Sequence, residues 1–186
     1  MFRFEATKLL MGHIHEEAIV SNLGPTSDDL WHAGHRDRNF YTLGSMGLCS
    51  SIALGMALTL SEKVVSLDGD GSLLMNLGTL ATIGRESPSN LIVVAWDNEE
   101  WGQTGHQPSH TAYGTDLEQV AKGCGVNRTA TVRNLEELDQ VFQEALNEAG
   151  PWFIVAKIQE EETYQPGTPK EPEVNVFRFR ESFTKG

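Results

Sequence analysis

Val64-Val65-Ser66-Leu67-Asp68-Gly69-Asp70-Gly71-Ser72 runs from a short apolar stretch straight into a glycine-flanked carboxylate. Val64 to Leu67 reads as a buried strand ending at Asp68. The next apolar run, Leu91 to Trp96, is a second buried strand, and it ends in Asp97-Asn98. A carboxylate and an amide at two neighbouring strand ends can hold one small hard cation. Glycines and a serine beside the carboxylate let backbone N–H groups approach phosphate oxygens. Asp70 is then the anionic ligand and Asn98 a neutral ligand of a near-octahedral Mg2+, completed by phosphate oxygens, a backbone carbonyl and water. The N–H groups of Gly71 and Ser72, at a helix N-terminus, face the phosphates. Gly-Asp-Gly alone is also a common turn. Its place after a strand and one βα unit before Asp97-Asn98 turns it into a metal–diphosphate motif.

Working outward, strands and helices alternate. Ala18–Ser21 is a strand, and Gly24-Pro25 turns the chain into a helix that Thr26 or Ser27 caps. A small-residue helix is expected from Gly44 to Leu60, and another from Leu73 to a stop at Gly84 before Pro88. Residues 97–115 read as a long loop without periodicity. Thr115-x-x-Glu118 is a capping-box pattern opening a helix over 117–122, and Val126 to Val132 reads as a strand. Asn134-x-x-Glu137 opens a helix over 135–149, with Leu135, Leu138, Val141, Phe142 and Leu146 on one face. Pro151 introduces the last strand, 152–158. The pattern predicts an α/β fold: a doubly wound, mostly parallel sheet with helices on both faces. Residues 1–160 form one domain and 161–186 a C-terminal extension, which either wraps a neighbouring chain or packs on its own surface.

Sheets of this kind bind ligands outside the carboxyl ends of their strands. Three loops fall there: 22–27, 68–72 and 97–107. Gly44-Ser45-Met46-Gly47 opens a fourth segment, read either as a cofactor contact or as close packing of helix on sheet. His106 and His110, in a polar loop beside the proposed site, can donate a proton or bind an anionic substrate; an exposed histidine with no role is the alternative for each. His13, His15, His32 and His35 lack zinc-like spacing, since His13-Ile14-His15-Glu16-Glu17 is not HExxH.

The 186 residues carry a formal net charge of −12, which excludes a general nucleic-acid binder. An apolar content of 39 % and a charged content of 22 % are ordinary for a globular protein. The longest apolar stretch, Leu48 to Leu60, is too short and too polar to span a bilayer. Cys49 and Cys124 make neither a metal site nor a disulfide framework, and they fit a reducing cytoplasm. The N-terminal residues lack the pattern of a signal peptide.

Three segments carry a family resemblance: Asn39 to Leu48, Asp68 to Gly78, and Asp97-Asn98 with the loop at Thr104-Gly105. Together they resemble the diphosphate-binding domain of thiamine diphosphate-dependent 2-oxoacid decarboxylases, whose pattern is Gly-Asp-Gly, some two dozen residues, then Asn. Residues 72–97 separate Gly71 from Asn98 here. The resemblance implies thiamine diphosphate and Mg2+ as cofactors, with Asp70, Asn98 and the backbone carbonyl of Glu100 on the metal. It places Gly24, Thr26, Gly44, Ser45, Met46, Gly69, Asp70, Gly71, Ser72 and Asn98 at the cofactor. Met46 becomes the wedge that bends the cofactor, with the Gly44 carbonyl and the Met46 N–H on its pyrimidine edge. Met46 and His106 are the candidates for catalytic work. Two departures stand out: Asp97-Asn98 replaces the usual Asn-Asn, and His106 stands where similar sequences often carry Gly. The glutamate that activates the cofactor belongs, in that family, to a second, pyrimidine-binding domain. The resemblance therefore implies a hetero-oligomer, in which a pyrimidine-domain chain completes the site for a small anionic 2-oxoacid. A non-catalytic scaffold of the same fold is the competing reading, and the intact Asp70 and Asn98 speak against it.

Overall fold

The structure is a computed structural model that describes residues 1–159, 163–169 and 171–184. In chain order its elements are α1 (Arg3–Met11), β1 (Ala18–Ser21), α2 (Pro25–Gly34), β2 (Asn39–Tyr41), α3 (Cys49–Ala57), β3 (Val64–Gly69), α4 (Asp70–Leu74), α5 (Gly78–Glu86), β4 (Leu91–Asp97), β5 (Glu100–Trp101), β6 (Gln107–Pro108), α6 (Leu117–Gly123), β7 (Arg128–Val132), α7 (Leu135–Asn147), β8 (Trp152–Lys157) and α8 (Pro172–Glu181). Six strands form one sheet in the order β2-β1-β3-β4-β8-β7, and every pair is parallel. β5 and β6 make a separate antiparallel hairpin.

The apolar runs are continuous because both sheet faces are covered. On one face, Val64, Val93 and Phe153 pack against Ala53, Leu80, Ile83 and Ala121. On the other, Val65, Val94 and Ile154 pack against Leu10, Leu30, Leu138 and Phe142. From β1 the chain crosses through α2 to β2, then returns through α3 to β3 on the far side of β1. The loops after β1 and β3 therefore leave toward opposite faces, which opens a crevice between them at the carboxyl edge. Register brings their ends level: Ser21 lies beside Leu67, and Gly69 beside Trp96.

Several expectations need correction. The helix expected from Gly44 begins only at Cys49. Gly44, Ser45 and Gly47 have φ of 71°, 59° and 89°, which no right-handed helix accepts. The helix expected over 73–84 is two pieces, α4 and α5. Between them Asn76 donates its amide to the Gly47 carbonyl and to Ser51 Oγ, a tertiary pull that a local pattern does not contain. Gly84 does not stop α5; a Cβ there would meet the Cys124 carbonyl oxygen at 1.9 Å, so the glycine permits close packing against α6. The stop is Ser87, left-handed at φ 45° before Pro88.

Gly24, not Thr26 or Ser27, is the N-cap of α2, with Pro25 at its first position. Ser27 lies in the first turn and donates instead to the Asn22 carbonyl at 2.7 Å. Asp116, not Thr115, caps α6, accepting from Gln119 N–H. Residues 97–115 are not shapeless: they hold the β5–β6 hairpin and 3-10 turns at Gly102–Thr104 and His110–Tyr113. Strand β7 begins at Arg128 rather than Val126. Helix α1 and strand β2 carry too little local pattern to be read from sequence. The expected acidic start of the tail, 160–162, lies outside the described residues. Further on, α8 packs on its own chain: Asn175 donates to the Tyr41 carbonyl, and Arg178 donates to the carbonyls of Arg36, Asp37 and Asn39.

Candidate cofactor site at the sheet's carboxyl edge

A cavity of about 80 Å3 lies at the ends of β1, β3 and β4. Its walls include Thr26, Met46, Gly69, Asp70, Gly71, Ser72, Asn98 and Glu100, eight of the residues expected from sequence. Gly24 sits between two lining residues, Leu23 and Pro25. Gly44 and Ser45 are not in this wall; both are exposed, and Ser45 faces a second cavity. His106 is exposed on the hairpin, with Nδ1 3.1 Å from Glu100 Oε2. His110 is exposed as well. Trp101 and Gln103 also line it, from the 97–107 loop expected there, whereas sequence reasoning missed Arg3 and Tyr164, which lie outside the three loops. Arg3 pairs with buried Asp29 at 2.6 Å.

The motif contains two carboxylates that do different work. Asp68 is fully buried and accepts from Ser50 Oγ at 2.7 Å, from Ser50 N–H and from Gly69 N–H. Burial pushes its carboxyl above the usual range against those donors. Ser72 Oγ accepts the Gly47 N–H at 2.9 Å, which ties the 44–48 loop to the start of α4.

Asp70 is nearly buried, yet it lines the cavity. Its Oδ2 accepts from Ser109 Oγ at 2.6 Å and from Thr111 Oγ1 at 3.1 Å. Thr111 has one proton, and the nearer Oδ1 of Asp97, at 2.8 Å, competes for it. Burial, and then the charge of Asp97, push the Asp70 carboxyl up to about 6, against the bonds from Ser109 and Thr111. A cation beside Asp70 acts in the opposite sense and favours the carboxylate. Asp97 itself is held by Lys157 Nζ at 2.7 Å and by Glu99 N–H. That buried ion pair is a physical role for the acidic residue in place of the usual Asn. Ser109 and Thr111 were not singled out in the sequence, because their contacts with Asp70 span 39 and 41 residues.

The residues fit a metal–diphosphate group. The donor set of one carboxylate, one amide and a backbone carbonyl is all hard oxygen, as Mg2+ requires. Among the described residues there is no group of three or more His, Cys, Asp or Glu placed to hold a metal. Asn22 Oδ1 is buried in the same wall without a hydrogen-bond partner. Two glycines form a close floor: a Cβ on Gly71 would lie 2.7 Å from Trp101 Cε3, and one on Gly24 would lie 2.1 Å from Gln103 Oε1.

Sheet order and switch-point crevice define an α/β domain with a candidate ligand site, rich in hard-oxygen donors, at its carboxyl edge. The family described as "Thiamine pyrophosphate enzyme, C-terminal TPP binding domain" matches residues 28–156. The chain is 45 % identical over 184 residues to sulfopyruvate decarboxylase subunit beta of Methanocaldococcus jannaschii, covering 98 % of this chain and 97 % of that one. It is 34 % identical to phosphonopyruvate decarboxylase of Streptomyces viridochromogenes, across 97 % of this chain and 46 % of the relative. A solved thiamin diphosphate-dependent enzyme from Mycobacterium smegmatis superposes with a TM-score of 0.73 at 25 % identity, over 87 % of this chain and 32 % of that one. The chain belongs to the thiamine pyrophosphate enzymes, as their C-terminal TPP-binding domain. Among the described residues no helix is long and apolar enough to cross a membrane.

Proposed function

We propose that this chain is the diphosphate- and Mg2+-binding subunit of a decarboxylase for a small anionic 2-oxoacid. The proposed substrate is sulfopyruvate, converted to sulfoacetaldehyde and CO2, with a pyrimidine-domain chain as partner in the cytoplasm. The observation that carries this reading is the size and make-up of the cavity. At about 80 Å3 it is far below the roughly 300–1,000 Å3 of sites that enclose a whole small molecule. It is polar where a diphosphate belongs and has Met46 in its wall. The remainder of the cofactor then needs walls that another chain supplies.

Thiamine diphosphate, when bound, supplies the electron sink for loss of CO2 from a 2-oxoacid. This chain's residues hold and orient it. Asp70, Asn98 and the Glu100 carbonyl take the Mg2+, and the N–H groups of Gly71 and Ser72 meet the diphosphate. The wall with Gly24, Thr26 and Gly69 bounds the same group, and Gly44, Ser45 and Met46 reach its other end. His106 can hold a proton where the substrate's anionic group approaches, oriented by Glu100. The activating glutamate comes from the partner. The likeness to phosphonopyruvate decarboxylase supports a second reading, in which the anionic group is a phosphonate.

The test is reconstitution. The chain alone, with Mg2+ and thiamine diphosphate, should not release CO2; mixed with the pyrimidine-domain chain, it should release CO2 from sulfopyruvate faster than from phosphonopyruvate or pyruvate. An assembled complex that decarboxylates none of the three would sink the proposal.

A further inference from the structure

Helix α8 carries apolar residues on both faces, although it lies on the surface. Its inner face is fixed: Phe179 packs edge-on against Phe40 and Phe183, and Arg178 donates to three backbone carbonyls. Its outer face presents Val176 and Phe177, 53 % and 60 % exposed, with Val174 beside them at 57 %. A second apolar patch on a surface helix calls for a partner of its own. The chain itself covers Phe179 and leaves Val174, Val176 and Phe177 exposed.

The charges on the outer face say what covers the rest. Glu173 and Arg180 are seven residues apart, two helical turns, so they share one face with Val176 and Phe177 between them. The same four side chains, with Pro172, line one shallow groove. Among the described residues neither Glu173 nor Arg180 makes an ion pair, and both are exposed. The pattern is self-complementary. When two such helices pack antiparallel about an axis at residues 176 and 177, each Glu173 meets the other copy's Arg180. Val176 and Phe177 of both copies fill the centre. A parallel pairing would set like charges together.

We propose that α8 is a homotypic contact, through which two copies of this chain pair about a twofold axis. This goes beyond the proposed function, since neither the cofactor site nor the reaction depends on it. One ten-residue helix per copy gives an interface at the small end of the range, so the pairing is of micromolar order. The net charge of −12 opposes association while the Glu173–Arg180 pairs favour it, and salt screens both, so the apolar centre at Val176 and Phe177 carries most of the pairing.

Sedimentation equilibrium of the full chain from about 1 to 200 μM tests this, a range that brackets a weak specific pairing. The expected result is a monomer–dimer equilibrium. Phe177→Glu should raise the dissociation constant at least about tenfold, as for loss of a central anchor. Glu173→Arg and Arg180→Glu should each weaken pairing about threefold, as for like charges set together at a rim. The double variant E173R/R180E should return to within about twofold of the unaltered chain, because both pairs are then reversed together. A chain that stays monomeric throughout, including one whose α8 is covered only by the pyrimidine-domain partner, overturns the proposal. So does a dimer indifferent to Phe177→Glu, or a double variant as weak as the single ones.

Discussion

Two cavities open near the carboxyl edge of the sheet, and they differ in size and in chemistry. The one between β2 and α8 has a volume of about 320 Å3, walled by Trp31, Phe40, Ile52 and Val174 among others. Polar groups line it too, and its buried ones are already partnered. His35 Nδ1 meets the Tyr41 hydroxyl at 2.9 Å, Trp31 stacks on His35 at 3.9 Å, and Arg178 is held by backbone carbonyls. The cavity of about 80 Å3 instead collects a carboxylate beside a second carboxylate, an amide, and an orphaned acceptor on Asn22. Capacity for a charged ligand follows unmet polar demand rather than volume.

The largest effect belongs to Asp70→Asn. It removes the only charge in the proposed donor set, so Mg2+-dependent thiamine diphosphate binding by the assembled complex should fall about 100-fold or more. Titration calorimetry with and without Mg2+ reads this; unchanged affinity would move the metal site elsewhere. Met46→Ala should act on turnover instead, lowering kcat about tenfold with cofactor affinity nearly kept, because a wedge shapes the ligand rather than holding it. Lost affinity with normal turnover would remove Met46 from that role.

The same contrast marks what could be read from the sequence. Strands β3, β4 and β8 are legible almost to the residue, because strands buried on both faces are continuous apolar runs. The placing of Asp70 and Asn98 in the smaller cavity's wall is legible for a related reason: both stand directly after the ends of those strands. The 44–48 loop is not, because Ser45 holds a left-handed backbone that its side chain does not announce. Neither is the break between α4 and α5, which rests on bonds from Asn76 to Gly47 and Ser51. The larger cavity was invisible in the sequence, since α8 and β2 meet across more than 130 residues.

Ser109 tests a residue that only the fold reveals. Ser109→Ala removes the 2.6 Å donor to Asp70 Oδ2 and leaves a buried carboxylate short of one bond. Mg2+ affinity should drop about tenfold, the usual cost of losing an outer partner of a ligand. An affinity within twofold would mean that Thr111 alone orients Asp70.

The pH dependence follows from the same carboxyl. Without metal, the Asp70 carboxyl is pushed up to about 6 from an ordinary value of 3.8. Because the folded value lies above the unfolded one, protonated Asp70 favours the fold at low pH. That contribution, on the order of 3 kcal/mol, is lost as pH rises from about 4 through 6. Mg2+ competes with the proton, so its affinity should fall below pH 6, up to about tenfold per unit for one linked proton. The rise in Tm on adding Mg2+ and thiamine diphosphate should therefore be larger at pH 8 than at pH 5. An equal rise at both would separate Asp70 from the metal.

The smallest effect on cofactor binding is expected from the larger cavity. Trp31→Ala strips one of its walls and the stack on His35, and should cost about 2 kcal/mol of stability, less than a fully buried aromatic would. Cofactor affinity should nevertheless stay within twofold. Trp31 sits near the end of α2, five residues beyond Thr26, so about 7.5 Å of helix separates the altered wall from the cofactor site. The N-terminal turn of α2 is held independently by Ser27, which bonds Ser21 Oγ and the Asn22 carbonyl. If affinity fell more than about threefold in a variant that still melts cooperatively, α2 would be transmitting strain between the two cavities, and the larger one would belong to the working site after all.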